Sequence, residues 1–186
     1  MDVIDAIQNR RSIRRYRSDD LSNDIILKII EAGTLAPSAK NRQPWKFIIL
    51  KERDKDAISD LMLEHAELGI KYEYETQQCK SSIKNTANII KQAPVLILVF
   101  KDNNKVWEVG DTLSIGACVE NMLLYATGIG VGSLWIRDTF CIEDEINRMY
   151  GSKLGMVLSC AVALGISAEA PEARPRKQVT EVVELL

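Results

Sequence analysis

Strands alternating with amphipathic helical stretches place this 186-residue chain among the layered α/β or α+β sandwiches, in which helices cover a mostly buried sheet. Three observations carry that prediction. Val95 to Phe100 (VLILVF) is apolar without a break, as a strand covered on both faces must be. Ile115, Cys118, Val119, Met122, Leu123 and Ala126 recur at the spacing of one helix face. Turn formers bracket these segments: Pro94 before the first, and Gly128, Gly130 and Gly132 after the second.

The remaining elements follow in chain order. Asp2 can cap a short helix carrying Val3, Ala6 and Ile7 on one face. Ser22 is the N-cap of a second helix, with Leu21 and Ile26 positioned as a hydrophobic staple. Ile25, Ile26, Ile29 and Ile30 line its buried face, and Gly33 with Pro37 closes it. Lys46 to Leu50 reads as a buried strand, whereas Glu52 to Gln92 reads as a polar, solvated helical cover that shapes a pocket. After the helix built on Ile115 to Ala126, which faces either the core or a subunit interface, Leu134 to Ile136 is a strand. A short helix spans Glu143 to Tyr150, and another strand runs from Met156 to Leu164. From Ala168 a linker, AEAPEARPRK, leads to VTEVVELL, a possible strand able to pair with another subunit's sheet edge.

Composition narrows the function classes. The chain is long enough for one domain with its own core, and 46% apolar with 27% charged residues is ordinary for a soluble protein. A net charge of −2 and 6% aromatics argue against a nucleic-acid-binding module. No apolar run is long enough to span a bilayer and the N-terminus has no signal-like region, so the expectation is a cytoplasmic chain with reduced thiols. Cys79, Cys118, Cys141 and Cys160 are too widely spaced for a structural zinc site and read as unreactive core residues. His65 stands alone in a polar segment, without the partners a catalytic base needs.

Five arginines, Arg10, Arg11, Arg14, Arg15 and Arg17, crowd into eight residues of this acidic chain. They form either an anion site or a salt-bridged turn beside Asp19 and Asp20. In an extended segment Arg10, Ser12 and Arg14 share one face and Arg11, Ile13 and Arg15 the other. A second stretch, APSAKNRQPWKF at Ala36 to Phe47, supplies neutral hydrogen-bonding groups from Ser38, Asn41 and Gln43 in a loop stiffened by Pro37 and Pro44. A third, RPRK at Arg174 to Lys177, returns to positive charge. The G-x-G spacing in GIGVGS follows a helix and enters a strand, the reverse of a dinucleotide-binding turn.

Taken together, R-R-S-I-R-x-Y near the start, A-P-S-x-x-N-x-Q-P-W-x-F after the second helix, G-I-G-V-G-S-L-W-I in mid-chain and R-P-R-K near the end resemble the FMN-dependent nitroreductase family. The resemblance spans the chain in the expected order and is least at Glu52 to Gln92. It implies an α+β fold with a central mixed sheet flanked by helices, a single domain over residues 1–186, and an intertwined homodimer. Residues 168–186 would be an arm reaching the partner subunit. It implies FMN bound at the subunit interface, reduced by NAD(P)H in a ping-pong cycle that ends with a nitroaromatic, a quinone or a similar acceptor.

By the same resemblance Arg10 and Ser12 match phosphate and ribityl contacts, Arg11 a further contact position, and Arg14 a basic position at the flavin's pyrimidine edge. Pro37, Ser38 and Asn41, with Gln43 beside them, match a loop given by the second subunit. Gly132 and Ser133 fall where backbone approaches the ring near N5, and Arg174 and Arg176 match tail contacts to the phosphate, with Lys177 left open as an alternative. No side chain is assigned as catalytic, because flavin N5 carries the hydride. Other readings remain: a flavin-binding sensor without turnover, or a specialised member such as a dehalogenase or dehydrogenating oxidase.

Overall fold

The computed structural model describes residues 1–68 and 77–185. In chain order it contains helix α1 (Val3–Asn9), α2 (Asn23–Thr34), strand β1 (Trp45–Lys51), α3 (Glu52–Leu68), α4 (Gln77–Gln92), β2 (Val95–Asp102), α5 (Glu108–Gly128), β3 (Gly132–Ile136), α6 (Glu143–Ile146) and β4 (Met156–Gly165). The four strands form one sheet in the order β1-β2-β4-β3, with antiparallel ladders throughout. The mixed character expected of the sheet is confined, among the described residues, to an isolated parallel bridge between Ser12 and Ser133.

Two apolar layers sandwich the sheet. Leu96, Leu98 and Phe100 of β2 point into one layer, with Ile58 and Met62 of α3 and Ala87 and Ile90 of α4. Val95, Ile97 and Val99 point into the other, with Ile26 and Ile29 of α2 and the predicted stripe of α5. Strand period 2 produces this split, and burial on both faces explains the unbroken apolar run. Each buried Val, Leu, Ile, Phe or Met side chain among them contributes about 1.5–3 kcal/mol. In β4 the partners jump from Cys160 opposite Val99 to Leu158 opposite Phe100, leaving Ser159 as an extra residue. That bulge is why Leu158 and Ala161, three apart, share one face.

Several local expectations hold. Asp2 caps α1, its carboxylate accepting from the Asp5 N–H at 2.8 Å, and the Ser22 hydroxyl accepts from Ile25 N–H. Leu21 and Ile26 are both buried in the same layer. The α5 stripe faces the core, and the helix's other side exposes Val109 and Leu113. Burial pushes the Cys118, Cys141 and Cys160 thiols up to about 12, so they are protonated and unreactive near neutral pH. Among the described residues no helix is long and apolar enough to cross a membrane.

Others are corrected. Only Ala6 of the α1 stripe is buried, because a two-turn helix meets the body along one narrow line; Val3 and Ile7 are exposed. Gly33 does not end α2: the helix runs on to Thr34, and Leu35 caps it. A Cβ at Gly33 would stand 2.6 Å from Met122 Cγ, so this glycine lets α2 approach α5 closely. The cover from Glu52 to Gln92 is not merely solvated, since the inner faces of α3 and α4 build half of one core layer, and Ser59 Oγ donates to the Ala87 carbonyl between them. Its residues 69–76 lie outside the described residues. The possible strand VTEVVELL instead contains a short 3-10 helix, Val179–Glu181, because the Gln178 and Glu181 side chains form a local capping box.

Candidate functional site

The arginine segment is held against the end of the sheet by its own backbone. Ile13 N–H donates to Ser133 O, Arg17 N–H to Ile166 O and Ala168 N–H to Arg15 O, each at 2.9 Å. Ile13 and Tyr16 turn inward, and the Tyr16 hydroxyl donates to the Ile13 carbonyl at 2.8 Å. Burial, reinforced by the Glu169 carboxylate, pushes the Tyr16 phenol pKa upward, so it stays neutral and anchors the segment.

With Ile13 buried, Arg10, Ser12 and Arg14 face outward and line a cleft of about 390 Å³, as the extended-segment reading requires. Arg174 and Arg176 of the tail line its other side. Arg11 departs from that reading: it lines this cleft and also an adjoining hollow of about 310 Å³ that contains Gly132 and Ser133. Its Nη1 donates to the carbonyls of Gln8 at 2.7 Å and Arg10 at 2.9 Å, closing the end of α1, while its buried Nε has no partner. The buried Ser133 hydroxyl is also without a partner. Arg17 pairs with Asp19 at 2.9 Å, the salt-bridged alternative for the cluster's far end, whereas Asp20 is taken by Lys51 at 3.0 Å.

The cleft carries excess positive charge. Among the described residues Arg10 makes only a long ion pair, 3.8 Å from Glu120, and Arg11, Arg14, Arg174 and Arg176 make none to any carboxylate. Five guanidinium groups against a single lining carboxylate, Glu172, are a donor set for a dianion such as a phosphate ester.

In GIGVGS the glycines differ in role. Gly130 adopts φ of +77° in the turn that ends α5, and a Cβ on Gly132 would stand 3.1 Å from both Ile13 Cγ2 and the Gly165 carbonyl. The close approach at Gly132 is thus occupied by the arginine segment itself.

Pro37, Ser38, Asn41 and Gln43 lie in the connection from α2 to β1 and line neither cavity. Pro37, Asn41 and Gln43 are exposed and Ser38 half-buried. Lys40, Asn41 and Gln43 have φ of 54°, 55° and 49°, a left-handed conformation that costs roughly 1–2 kcal/mol for a residue with a Cβ. His65 sits 3.7 Å from Glu145, remote in sequence from every predicted site residue and lining neither cavity.

Two participants escaped sequence reasoning. Glu169 Oε1 accepts from the N–H groups of Arg14 at 2.5 Å and Arg15 at 3.2 Å, folding the start of the tail onto the arginine segment. Nothing in AEAPEARPRK marks that residue. The other is Arg42, whose buried partner Asp111 lies far away in the chain.

Comparison with known proteins bears on the family and the fold. The model of the Nitroreductase family matches residues 7–166, leaving the whole tail, Arg174 and Arg176 included, outside the match. A protein of Methanothermobacter thermautotrophicus with the provisional name NADH dehydrogenase/NAD(P)H nitroreductase is 29% identical over 180 residues, 94% of this chain and 82% of that one. The crystal structure of a provisionally named nitroreductase in complex with FMN from Desulfovibrio desulfuricans superposes with a TM-score of 0.77 at 29% identity, covering 98% of this chain and 95% of the other. A BluB-like flavoprotein from Clostridium difficile 630 gives 0.79 at 26% identity, covering 100% and 99%.

Proposed function

Because the chain belongs to the nitroreductase family, we propose that it is an FMN-dependent NAD(P)H oxidoreductase that reduces a nitroaromatic, a quinone or a similar small acceptor. The observation that carries this reading is the convergence of five arginines, from the N-terminal segment and the tail, on one cleft of a chain with net charge −2.

In this reading Arg10, Arg11 and Ser12 hold the FMN phosphate and the adjacent ribityl chain, and Arg174 and Arg176 close over the phosphate from the tail. Arg14 offers positive charge toward the pyrimidine edge, where its Nη1, already donating to the Ser12 carbonyl at 3.1 Å, is pre-set on the cleft side. Gly132 and Ser133 form the strand floor of the adjoining hollow, and the Ser133 hydroxyl and Arg11 Nε are buried at its lining without partners. When bound, FMN would supply the redox chemistry, taking a hydride from NAD(P)H at N5 and passing electrons to the acceptor. The protein's work is to bind, orient and tune by charge, which needs no nucleophile.

The loop bearing Pro37, Ser38, Asn41 and Gln43 lines neither the cleft nor the adjoining hollow of its own subunit, and in this reading it serves the site of a second copy in a homodimer. The exposed tail side chains Val179, Val182 and Leu185 suit residues 168–186 as an arm lying on that partner. Steady-state rates with NADH or NADPH and a quinone, measured over both concentrations, should give parallel double-reciprocal lines, the mark of one substrate leaving before the next enters. Intersecting lines would argue for a ternary complex instead.

A further inference from the structure

Arg42 sits at the centre of the α2–β1 loop, with Asn41 and Gln43 as its immediate neighbours. Its guanidinium forks onto Asp111, Nε to Oδ1 at 3.0 Å and Nη2 to Oδ2 at 3.2 Å, and Nη2 also reaches Asp102 Oδ2 at 3.0 Å. It lies 5.0 Å from the centre of the Trp107 ring. Asp111, in the first turn of α5, is wholly buried, and Asp102 ends β2. A buried carboxylate requires its cationic partner, so this pair ties mid-loop backbone to two core elements.

What the pair restrains is an unfavourable shape. Arg42 keeps an ordinary helical conformation (φ −70°, ψ −27°) between left-handed Asn41 and Gln43, with left-handed Lys40 just before. Such a run persists only where the surroundings over-determine it. The other restraints are modest: Gln43 N–H to Ser38 Oγ at 3.0 Å, Ala39 N–H to Ser114 Oγ at 3.3 Å, and Gln43 Nε2 to Asn41 Oδ1 at 3.3 Å. With Arg42 drawn inward, the amides on either side remain exposed.

We propose that Arg42, clamped by Asp111 and Asp102, is a positioning residue for the flavin: it locks the Ser38–Gln43 loop in the shape that one subunit presents to the FMN of the other. This rests on the FMN reading above and assigns Arg42 no contact with the cofactor. Its contribution is preorganisation, which raises affinity by removing the cost of ordering the loop on binding.

The test uses full-length apoprotein titrated with FMN, with thermal unfolding of each apoprotein measured alongside. Three variants are needed: Asn41→Ala, Arg42→Lys, and the double variant Arg42→Met/Asp111→Leu, which removes both charges of the buried pair and leaves only the partly exposed Asp102, which water can solvate, without its partner. Asn41→Ala should weaken FMN binding directly. The double variant should weaken it about tenfold while unfolding near the wild-type temperature, and should alter the visible circular dichroism of the bound flavin. Arg42→Lys, keeping the charge but losing the fork and the ring contact, should fall between and decides the matter should the double variant not fold. Wild-type affinity in Arg42→Lys and the double variant, with Asn41→Ala weakened, overturns the positioning role alone. Unchanged affinity in Asn41→Ala overturns the loop's role and the proposal with it, leaving the FMN reading intact. A wild-type protein that takes up no FMN removes the reading on which both depend.

Discussion

Arg10→Ala is expected to bind FMN about ten- to 150-fold more weakly than wild type, the equivalent of losing one charge-assisted hydrogen bond of roughly 1.5–3 kcal/mol. The prediction is sharp because Arg10 has so little else to do. Its one ion pair among the described residues, to a half-exposed Glu120 at 3.8 Å, is too long and too wet to hold the fold. Stability should therefore be nearly unchanged while affinity falls, a separation that a flavin titration and a melting curve resolve together. Arg17→Ala is the matched control: the same charge is removed seven residues away, but from a residue paired with Asp19 and not lining the cleft. Equal FMN affinity in Arg10→Ala and wild type would withdraw Arg10 from the phosphate site.

Gly165→Ala is expected to produce the largest loss of stability, and to carry FMN retention down with it. A Cβ there would stand 2.5 Å from Pro94 Cδ and 2.7 Å from Tyr16 Cδ1. Both neighbours are rings, one immediately before β2 and the other anchoring the arginine segment, so neither yields cheaply. Overpacking of this kind costs about 1–3 kcal/mol, occasionally more. For a chain of this length each kcal/mol lowers the melting temperature by about 2–4 °C. Displacing Tyr16 also shifts the backbone that bonds to Ile166 O and carries Arg14, which couples packing to the site. Gly128→Ala, where the added Cβ meets nothing within 4 Å at the end of α5, should be neutral or slightly stabilising. If both substitutions shift denaturation equally, the close packing at Gly165 is not what fixes the segment.

The sequence was most legible where burial imposes a period. The apolar run of β2 and the α5 stripe are set by which faces must leave water, so their places follow from pattern alone. Ser22 and Asp2 were equally readable because capping is local chemistry. What pattern could not reveal depends on contacts between distant residues. Gly33 looked like a helix terminator because the α2–α5 crossing that demands it is invisible in a local window. The terminal VTEVVELL had strand composition, yet the Gln178–Glu181 capping box is a stronger local instruction than apolar content. Within the site, Arg10, Ser12 and Arg14 share a face as alternation requires, but Arg11 breaks the pattern by bending back to cap the carbonyls at the end of α1. Glu169 and the Arg42–Asp111 pair join segments far apart in the chain and leave no spacing to read.

Anaerobic mixing of the FMN-loaded protein with NADH and, separately, NADPH, followed by addition of a quinone or nitroaromatic, tests the central claim most directly. The account predicts that at least one nicotinamide bleaches the yellow flavin rapidly and that the acceptor restores the colour. A flavin that stays oxidised in the presence of both reductants would contradict it and leave a binding protein without turnover.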